Sequence, residues 1–307
     1  MVIGTRGSDL ALKQAEEVRC RLSAERLEWR FALKRIRTHG DRNRRSAVPS
    51  LGRVGVFTSA LERALAAGEI DLAVHSLKDV PTALERGLAL EVVTPRADPR
   101  DALVSPSGKT LADLPPGSVV GTGSARRAAF ALALRPDLII RPLRGNVGSR
   151  LAKVKGRQFD AGIFALAGLA RLGLSLEASE VFDPETITPA PGQGALAVEY
   201  RSDDAEAASL LAEARDEEGY LAVMTERAVL RRLGGGCLAP IGVLARVGGP
   251  GWLRVLAAVA APDGSRVVRV AREGSAEPED LSEQVVSALR ERGAGDLLRA
   301  ARGDGAR

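Results

Sequence analysis

The sequence predicts an α/β protein with largely parallel sheets over its first two-thirds, followed by a small α+β domain. Three observations carry this expectation. Short apolar runs alternate with longer helical patterns from Val2 to Tyr200. Two Pro-bearing crossings, Thr94-Pro95-Arg96-Ala97-Asp98-Pro99-Arg100 and Thr188-Pro189-Ala190-Pro191-Gly192-Gln193-Gly194, punctuate that region. Beyond them, three apolar runs follow one another directly before the C-terminal helical patterns.

Val2 to Gly4 reads as a strand, and Ser8 as the cap of a helix with Leu10, Ala11, Gln14, Ala15, Val18 and Leu22 at helical spacing. Phe31 to Arg37 reads as a strand, and the polar stretch Gly40 to Gly55 as a loop. Phe57 to Ala67 has a helical pattern closed by Gly68, and Asp71 to Val74 and Leu88 to Val93 are strand-like. The second unit repeats the style. Strands are expected at Ser118 to Gly121, Leu138 to Arg141 and Asp160 to Ala165, with helices from Ser124 to Leu134 and Asn146 to Lys155. After the second crossing come a strand from Ala195 to Tyr200 and a helix from Asp216 to Leu233. The tail reads as strands at Ile241 to Val247, Leu253 to Ala260 and Arg266 to Ala271, then helices.

A chain of 307 residues, 45% apolar and 27% charged, suits two or three globular domains. The N-terminus enters a strand pattern without the basic and apolar regions of a signal peptide, and no apolar run is long enough to span a bilayer. Two cysteines form no disulfide framework, which suits a reducing cytoplasm. The net charge of +5 fits an anionic partner, but 3% aromatic residues argue against a single-strand nucleic-acid surface. The charge is shared along the chain, as separate arginine sites would be.

Four expected strand-to-helix junctions are rich in polar residues: Thr5-Arg6-Gly7-Ser8, His75-Ser76-Leu77-Lys78-Asp79, Thr122-Gly123-Ser124-Ala125-Arg126-Arg127 and Arg144-Gly145-Asn146. Ligands of open α/β sheets bind at the carboxyl ends of strands, where helix N-termini offer free N–H groups. Arginines at several such ends suit carboxylates, because the planar guanidinium donates two parallel hydrogen bonds. Singly, Arg6, Arg126, Arg127 and Arg144 read equally as solvated or paired with structural carboxylates. Likewise, His75 reads as a hydrogen-bonded structural residue, Gln14 as a surface residue and Lys78-Asp79 as a turn. The full dinucleotide fingerprint and the Walker lysine are absent.

Cys237 lies in Gly234-Gly235-Gly236-Cys237-Leu238-Ala239-Pro240, an irregular loop. Cys20 is its only thiol companion, and with two histidines in the chain no set has metal-ligand spacing, so no metal site is expected. Residue type alone leaves two readings, a reactive thiol or an inert small side chain.

Taken in order, these strings resemble the porphobilinogen deaminase (hydroxymethylbilane synthase) family. The matching segments are Thr5-Arg6-Gly7-Ser8, Val74-His75-Ser76-Leu77-Lys78-Asp79-Val80-Pro81, Asp98-Pro99-Arg100-Asp101-Ala102 and Gly121-Thr122-Gly123-Ser124-Ala125-Arg126-Arg127. They continue with Leu143-Arg144-Gly145-Asn146-Val147-Gly148-Ser149-Arg150-Leu151, Ala167-Gly168-Leu169-Ala170-Arg171-Leu172-Gly173, Pro191-Gly192-Gln193-Gly194-Ala195 and Gly235-Gly236-Cys237. The resemblance implies a cytoplasmic, monomeric transferase of haem and porphyrin biosynthesis. Such an enzyme joins four porphobilinogen units head to tail, releases ammonia each time, and finally hydrolyses off hydroxymethylbilane. Its primer is a dipyrromethane cofactor attached through a thioether to the residue matched by Cys237.

The same resemblance implies two type II periplasmic-binding-protein-like domains across a hinged cleft, residues 1–94 with 195–214 and residues 100–188. A third α+β domain, residues 216–307, would carry the cofactor cysteine. Lys78, Asp79, Thr122, Ser124, Arg126, Arg127 and Arg150 would bind the cofactor. Arg6, Ser8, Gln14, Phe57, Arg144, Arg150 and Arg171 would bind porphobilinogen or the growing oligopyrrole. Asp79 would be catalytic, its carboxylate stabilising positive charge that develops on the electron-poor methylene-pyrrolenine formed by deamination. Loss of one arginine is expected to impair turnover far more than folding. Gly40 to Gly55 would be the family's mobile active-site loop. Asp9, Arg53, Thr58 and Gly123 depart from the usual pattern, and Gly123 removes a hydroxyl near the cofactor. The competing class, a non-catalytic anion-binding protein, accounts for the arginines and hinge but not for Cys237 or Lys78-Asp79.

Overall fold

The computed structural model describes residues 1–36, 59–234, 239–249, 251–275 and 277–302. The loop expected from Gly40 to Gly55, Arg53, Phe57, Thr58 and Cys237 lie outside the described residues. The first described elements are β1 (Val2–Thr5), α1 (Asp9–Glu25), β2 (Ala32–Arg35), α2 (Ser59–Ala66), β3 (Leu72–Ser76) and β4 (Leu88–Glu91). Next come β5 (Asp101–Val104), β6 (Val119–Gly121), α3 (Ala125–Leu134), β7 (Ile139–Arg141), α4 (Val147–Lys155), β8 (Ala161–Ala165), α5 (Leu166–Arg171) and β9 (Glu180–Val181). The chain continues with β10 (Leu196–Arg201), α6 (Ala205–Ala214), α7 (Glu217–Arg232), β11 (Ile241–Gly249), β12 (Trp252–Ala260), β13 (Val267–Ser275), α8 (Pro278–Glu291) and α9 (Ala294–Arg302).

Residues 1–97 and 194–220 cluster as one compact unit, and residues 98–193 with 221–307 as another. In the first unit, one five-stranded sheet has the order β2-β1-β3-β10-β4. β1 runs parallel to β2 and β3, while β10 is antiparallel to β3 and β4. α1 covers one face because Ala15, Val18 and Leu22 fall on one helical stripe and meet Ile3, Leu72, Val74 and Val198. Each buried Val or Leu contributes about 1.5–3 kcal/mol to that face. The opposite face packs Ala73 against Leu61, Leu65 and Ile70. Gly4 lets that face pack closely: a Cβ there would lie 2.3 Å from Ile70 Cδ1, and the Ile70 side chain would have to shift.

The second unit contains a sheet of the same plan, β7-β6-β8-β5-β9. β6 is parallel to β7 and β8, and β5 is antiparallel to β8 and β9. In each sheet, therefore, four strands run in one direction and one, β10 or β5, runs against them, following directly on a crossing. The sheets are thus largely parallel, as expected, with one exception in each: a strand entering from a crossing runs against strands joined by helical crossovers. β5 is also one of two strands that periodicity missed, with β9; β5 is four residues long and buried throughout, and β9 has only two residues. The repeated plan fits the two periplasmic-binding-protein-like domains expected, with an additional three-stranded domain.

That third sheet is β11-β12-β13, antiparallel throughout, with α8 and α9 on one face. Ala258 and Ala260 of β12 join a different core, with Leu103, Ala129 and Phe130. This shared core groups the C-terminal region with residues 98–193. β11 runs to Gly249 and β13 to Ser275, beyond the apolar runs, because ladder pairing continues where the side chains are exposed.

The crossings are bonded to each other within each unit. Ala97 N–H donates to Gly194 O at 3.3 Å in the first. In the second, Gln193 Nε2 donates to Pro99 O at 2.7 Å.

Candidate functional site

In the first unit, the carboxyl ends of the parallel neighbours β1 and β3 carry two of the polar junctions. Thr5 Oγ1 donates to Ala11 O at 2.9 Å, and Ser8 caps α1 by accepting from Ala11 N–H at 3.3 Å. The cap uses an acceptor lone pair of Ser8 and leaves its O–H as a donor. Arg6 sits half-buried between them. Gln14 is buried, and its Nε2 donates to Ser76 Oγ at 2.8 Å, tying α1 to the end of β3. The surface reading of Gln14 is thereby corrected: six residues after the cap, it faces the end of β3.

After Ser76 the chain forms a 3-10 turn, Leu77–Asp79. Leu77 and Val80 are buried, Leu77 N–H donates to Ala195 O at 3.1 Å, and Val80 N–H closes the turn on Leu77 O at 3.0 Å. Anchoring both flanks leaves Lys78 half-buried and Asp79 exposed. One residue earlier, His75 Nε2 lies 2.8 Å from Glu199 Oε2, with both side chains buried. His75 thus faces Glu199 inside the sheet at contact distance, without a hydrogen bond from its Nε2 among the described residues, while Asp79 stands exposed at the sheet edge.

In the second unit, β6, β7 and β8 are parallel, so their carboxyl ends share one sheet edge. Ser124 caps α3 by accepting from Arg127 N–H at 3.4 Å, and its own N–H donates to Thr122 Oγ1 at 3.2 Å. Arg144 is exposed after β7, and Asn146 caps α4 by accepting from Ser149 N–H at 2.8 Å. Arg150 is half-buried, with Nε donating to Gly145 O at 2.6 Å. Arg171, also half-buried, ends α5 after β8.

Arg126 and Arg127 differ from the other arginines in being buried and sharing one carboxylate. Arg126 Nη1 donates to Asp101 Oδ2 at 2.7 Å and to Thr188 O at 2.6 Å. Arg127 donates to Asp101 Oδ1 from Nε at 2.9 Å and from Nη2 at 2.7 Å, and to Ile163 O from Nη1 at 3.1 Å. Gln193 Nε2 donates to the same Asp101 oxygen at 2.8 Å. Burial pushes the Asp101 carboxyl up, but the two guanidinium charges and the hydrogen bonds from Arg126 and Gln193 prevail and hold it well below the usual carboxylate range. Burial lowers Arg126, although a guanidinium remains charged throughout.

Loss of Arg126 or Arg127 is therefore expected to cost stability as well as turnover. Breaking a buried pair leaves an uncompensated charge and costs about 3–5 kcal/mol. One donor stays open: the buried Nε of Arg126 has no acceptor among the described residues. Buried N–H groups are nearly always satisfied, so this one fits a carboxylate supplied from outside the chain. With Ser124, Thr122 and the N-terminus of α3, the donor set suits the acidic side chains of a pyrrole cofactor.

Sequence reasoning missed Asp101, Gln193, Glu199 and Glu226. Asp101 and Gln193 lie inside recognised strings, but nothing local marks them as partners. Glu226 is an acidic residue in an amphipathic helix, yet it is buried, accepting from Gly192 N–H at 2.6 Å and Ala245 N–H at 2.7 Å.

The family model for the dipyrromethane cofactor binding domain of porphobilinogen deaminase matches residues 1–209, and the model for its C-terminal domain matches residues 220–291. Porphobilinogen deaminase of Halalkalibacterium halodurans is 44% identical over 97% of this chain and 96% of its own length. The enzyme named likewise in Thermus thermophilus is 44% identical over 97% and 98%. That of Corynebacterium efficiens is 46% identical over 96% and 98%. Among solved structures, the methionine binding protein MetQ overlays with a TM-score of 0.44 at 15% identity, covering 70% of this chain and 89% of its own. The chain belongs to the porphobilinogen deaminase family.

Proposed function

We propose that Asp79 is the catalytic carboxylate of this family member and that Cys237 carries its dipyrromethane primer through a thioether. The chain is a hydroxymethylbilane synthase, a transferase that condenses four porphobilinogen units in tetrapyrrole biosynthesis. Each cycle breaks an aminomethyl C–N bond, releases ammonia and forms a C–C bond to the free α-carbon of the growing chain, which then loses its proton. The primer, when bound, supplies the first such α-carbon. Asp79 stands on a turn fixed at both flanks, and its carboxylate accepts a pyrrole N–H hydrogen bond and stabilises the positive charge that develops there.

The carboxylates of the rings are held by donors at the strand ends. Lys78, Thr122, Ser124, Arg126, Arg127 and Arg150 bind those of the cofactor. Arg6, Ser8, Gln14, Phe57, Arg144, Arg150 and Arg171 bind those of porphobilinogen and the elongating oligopyrrole. The reading rests above all on the buried guanidinium pair at the N-terminus of α3, with its open Arg126 Nε–H. The domains run from 1–94 with 195–214, 100–188 and 216–307. Among the described residues, no helix is long and apolar enough to cross a membrane. With two cysteines in the chain, a cytoplasmic monomer without nucleic-acid partners is the setting proposed. Intact-mass measurement and peptide mapping of protein made with its biosynthetic pathway present test the assignment. A two-pyrrole adduct on the Cys237 peptide is expected; an unmodified Cys237 would refute the tether.

A further inference from the structure

Two guanidinium groups face one carboxylate at the start of α3, and an amide completes the cluster. Besides its bond to Asp101, Gln193 accepts from Arg127 Nη2 through Oε1 at 3.3 Å and donates to Pro99 O at 2.7 Å. Arg127 donates to Asp101, Gln193 and Ile163 O, so its plane is fixed by Asp101 on one edge and by the second crossing on another. Among the described residues, Arg126 is gripped through Nη1, and its buried Nε–H has no acceptor. Asp101 arrives on β5, Arg126 and Arg127 on α3, and Gln193 and Thr188 on the second crossing. The remaining partner, Ile163 O, is a backbone carbonyl. Asp101 thus cancels one of two positive charges, and the cluster keeps one.

We propose that Asp101 and Gln193 are positioning residues for primer capture, setting the cluster's charge to a single positive unit and aiming the free edge of Arg126 at one pyrrole carboxylate. The inference rests on the cofactor-binding reading of this site. Neither residue touches the ligand; both act through the arginines. A monovalent carboxylate neutralises the site and supplies the missing acceptor. Without Asp101 the pair carries two charges, repels itself and favours divalent anions over carboxylates.

Primer loading of the full-length apo-protein tests this. Porphobilinogen is titrated in, loading is read by intact mass on folded protein, and sulfate and acetate are compared as competitors at constant ionic strength. In Asp101→Asn, half-loading is expected to need about 10- to 100-fold more porphobilinogen, the scale of lost charge-assisted hydrogen bonds. Competition should shift toward sulfate over acetate by about tenfold, a readout that a merely structural loss of stability does not move. Gln193→Met leaves the charge unchanged; it should raise the half-loading concentration about tenfold and keep the wild-type sulfate-to-acetate ratio. That variant decides the matter if Asp101→Asn does not fold. Wild-type loading in Gln193→Met, or wild-type loading and anion preference in Asp101→Asn, would overturn the proposal. Failure of the unsubstituted chain to gain pyrrole mass would instead overturn the cofactor reading, and this inference with it.

Discussion

Gly194→Ala measures how closely the two crossings approach. Gly194 has φ +93°, and a Cβ built there lies 2.2 Å from Ala97 O and 3.1 Å from Ala97 C. The backbone conformation alone costs an L-residue about 1–3 kcal/mol. Relieving the contact means moving a backbone carbonyl by roughly an ångström, an overpacking cost of about 1–3 kcal/mol more. Against this, alanine lowers the entropy of the unfolded chain by about 0.4–1 kcal/mol. The net expectation is a loss of roughly 1–5 kcal/mol, a large share of the 5–15 kcal/mol typical of a folded protein. Two control positions separate the terms. Gly173 has φ +73° with nothing within 4 Å of an added Cβ, so Gly173→Ala reports conformational strain without a clash. Gly248 has neither a positive φ nor a neighbour within 4 Å, so Gly248→Ala should be near neutral. Urea unfolding should rank the losses Gly194 first, Gly173 second and Gly248 last. Equal losses at Gly194 and Gly173 would refute the close approach of the crossings.

Asp79→Asn should keep the primer mass and lose about two to three orders of magnitude in turnover, since an amide cannot stabilise the developing charge; normal rates in a loaded variant would remove Asp79 from the chemistry. Glu226→Ala should cost about 3–5 kcal/mol in urea unfolding, because the N–H groups of Gly192 and Ala245 lose a buried charged acceptor. Acid sensitivity follows from Asp101, whose folded carboxyl is held well below the usual range by Arg126 and Arg127 against its burial. Its stabilisation is fully present above the unfolded value of about 3.9 and fades as pH falls from there toward the folded value. Unfolding free energy measured below about pH 4 should therefore drop more steeply in the native chain than in Asp101→Asn. Identical slopes would contradict the charge pairing.

Much of this protein was legible without coordinates. Helical stripes such as Ala15, Val18 and Leu22, the caps at Ser8, Ser124 and Asn146, and the turn at Lys78-Asp79 are local features, set by spacing of a few residues. The ordered strings around Asp79, Arg126 and Arg144 identified the chemistry through their resemblance to a known family, since the residue types alone left structural readings open. The antiparallel entries of β5 and β10 were not legible, since strand direction depends on which neighbour a strand meets and not on its own pattern. Nor was the burial of Gln14, Glu199 and Glu226, polar residues whose partners lie dozens of positions away or on another element. Asp101 shows the difference most plainly. In sequence it is one carboxylate after Asp98-Pro99-Arg100; in the fold, residues 25, 26 and 92 positions away converge on it. Local periodicity determined the elements, and the ordered strings, through their resemblance to a known family, what the chain is for. Which charges cancel, which donor remains open and which glycine admits a second strand of chain were decided by tertiary contacts, because desolvation and pairing exist only once distant segments meet.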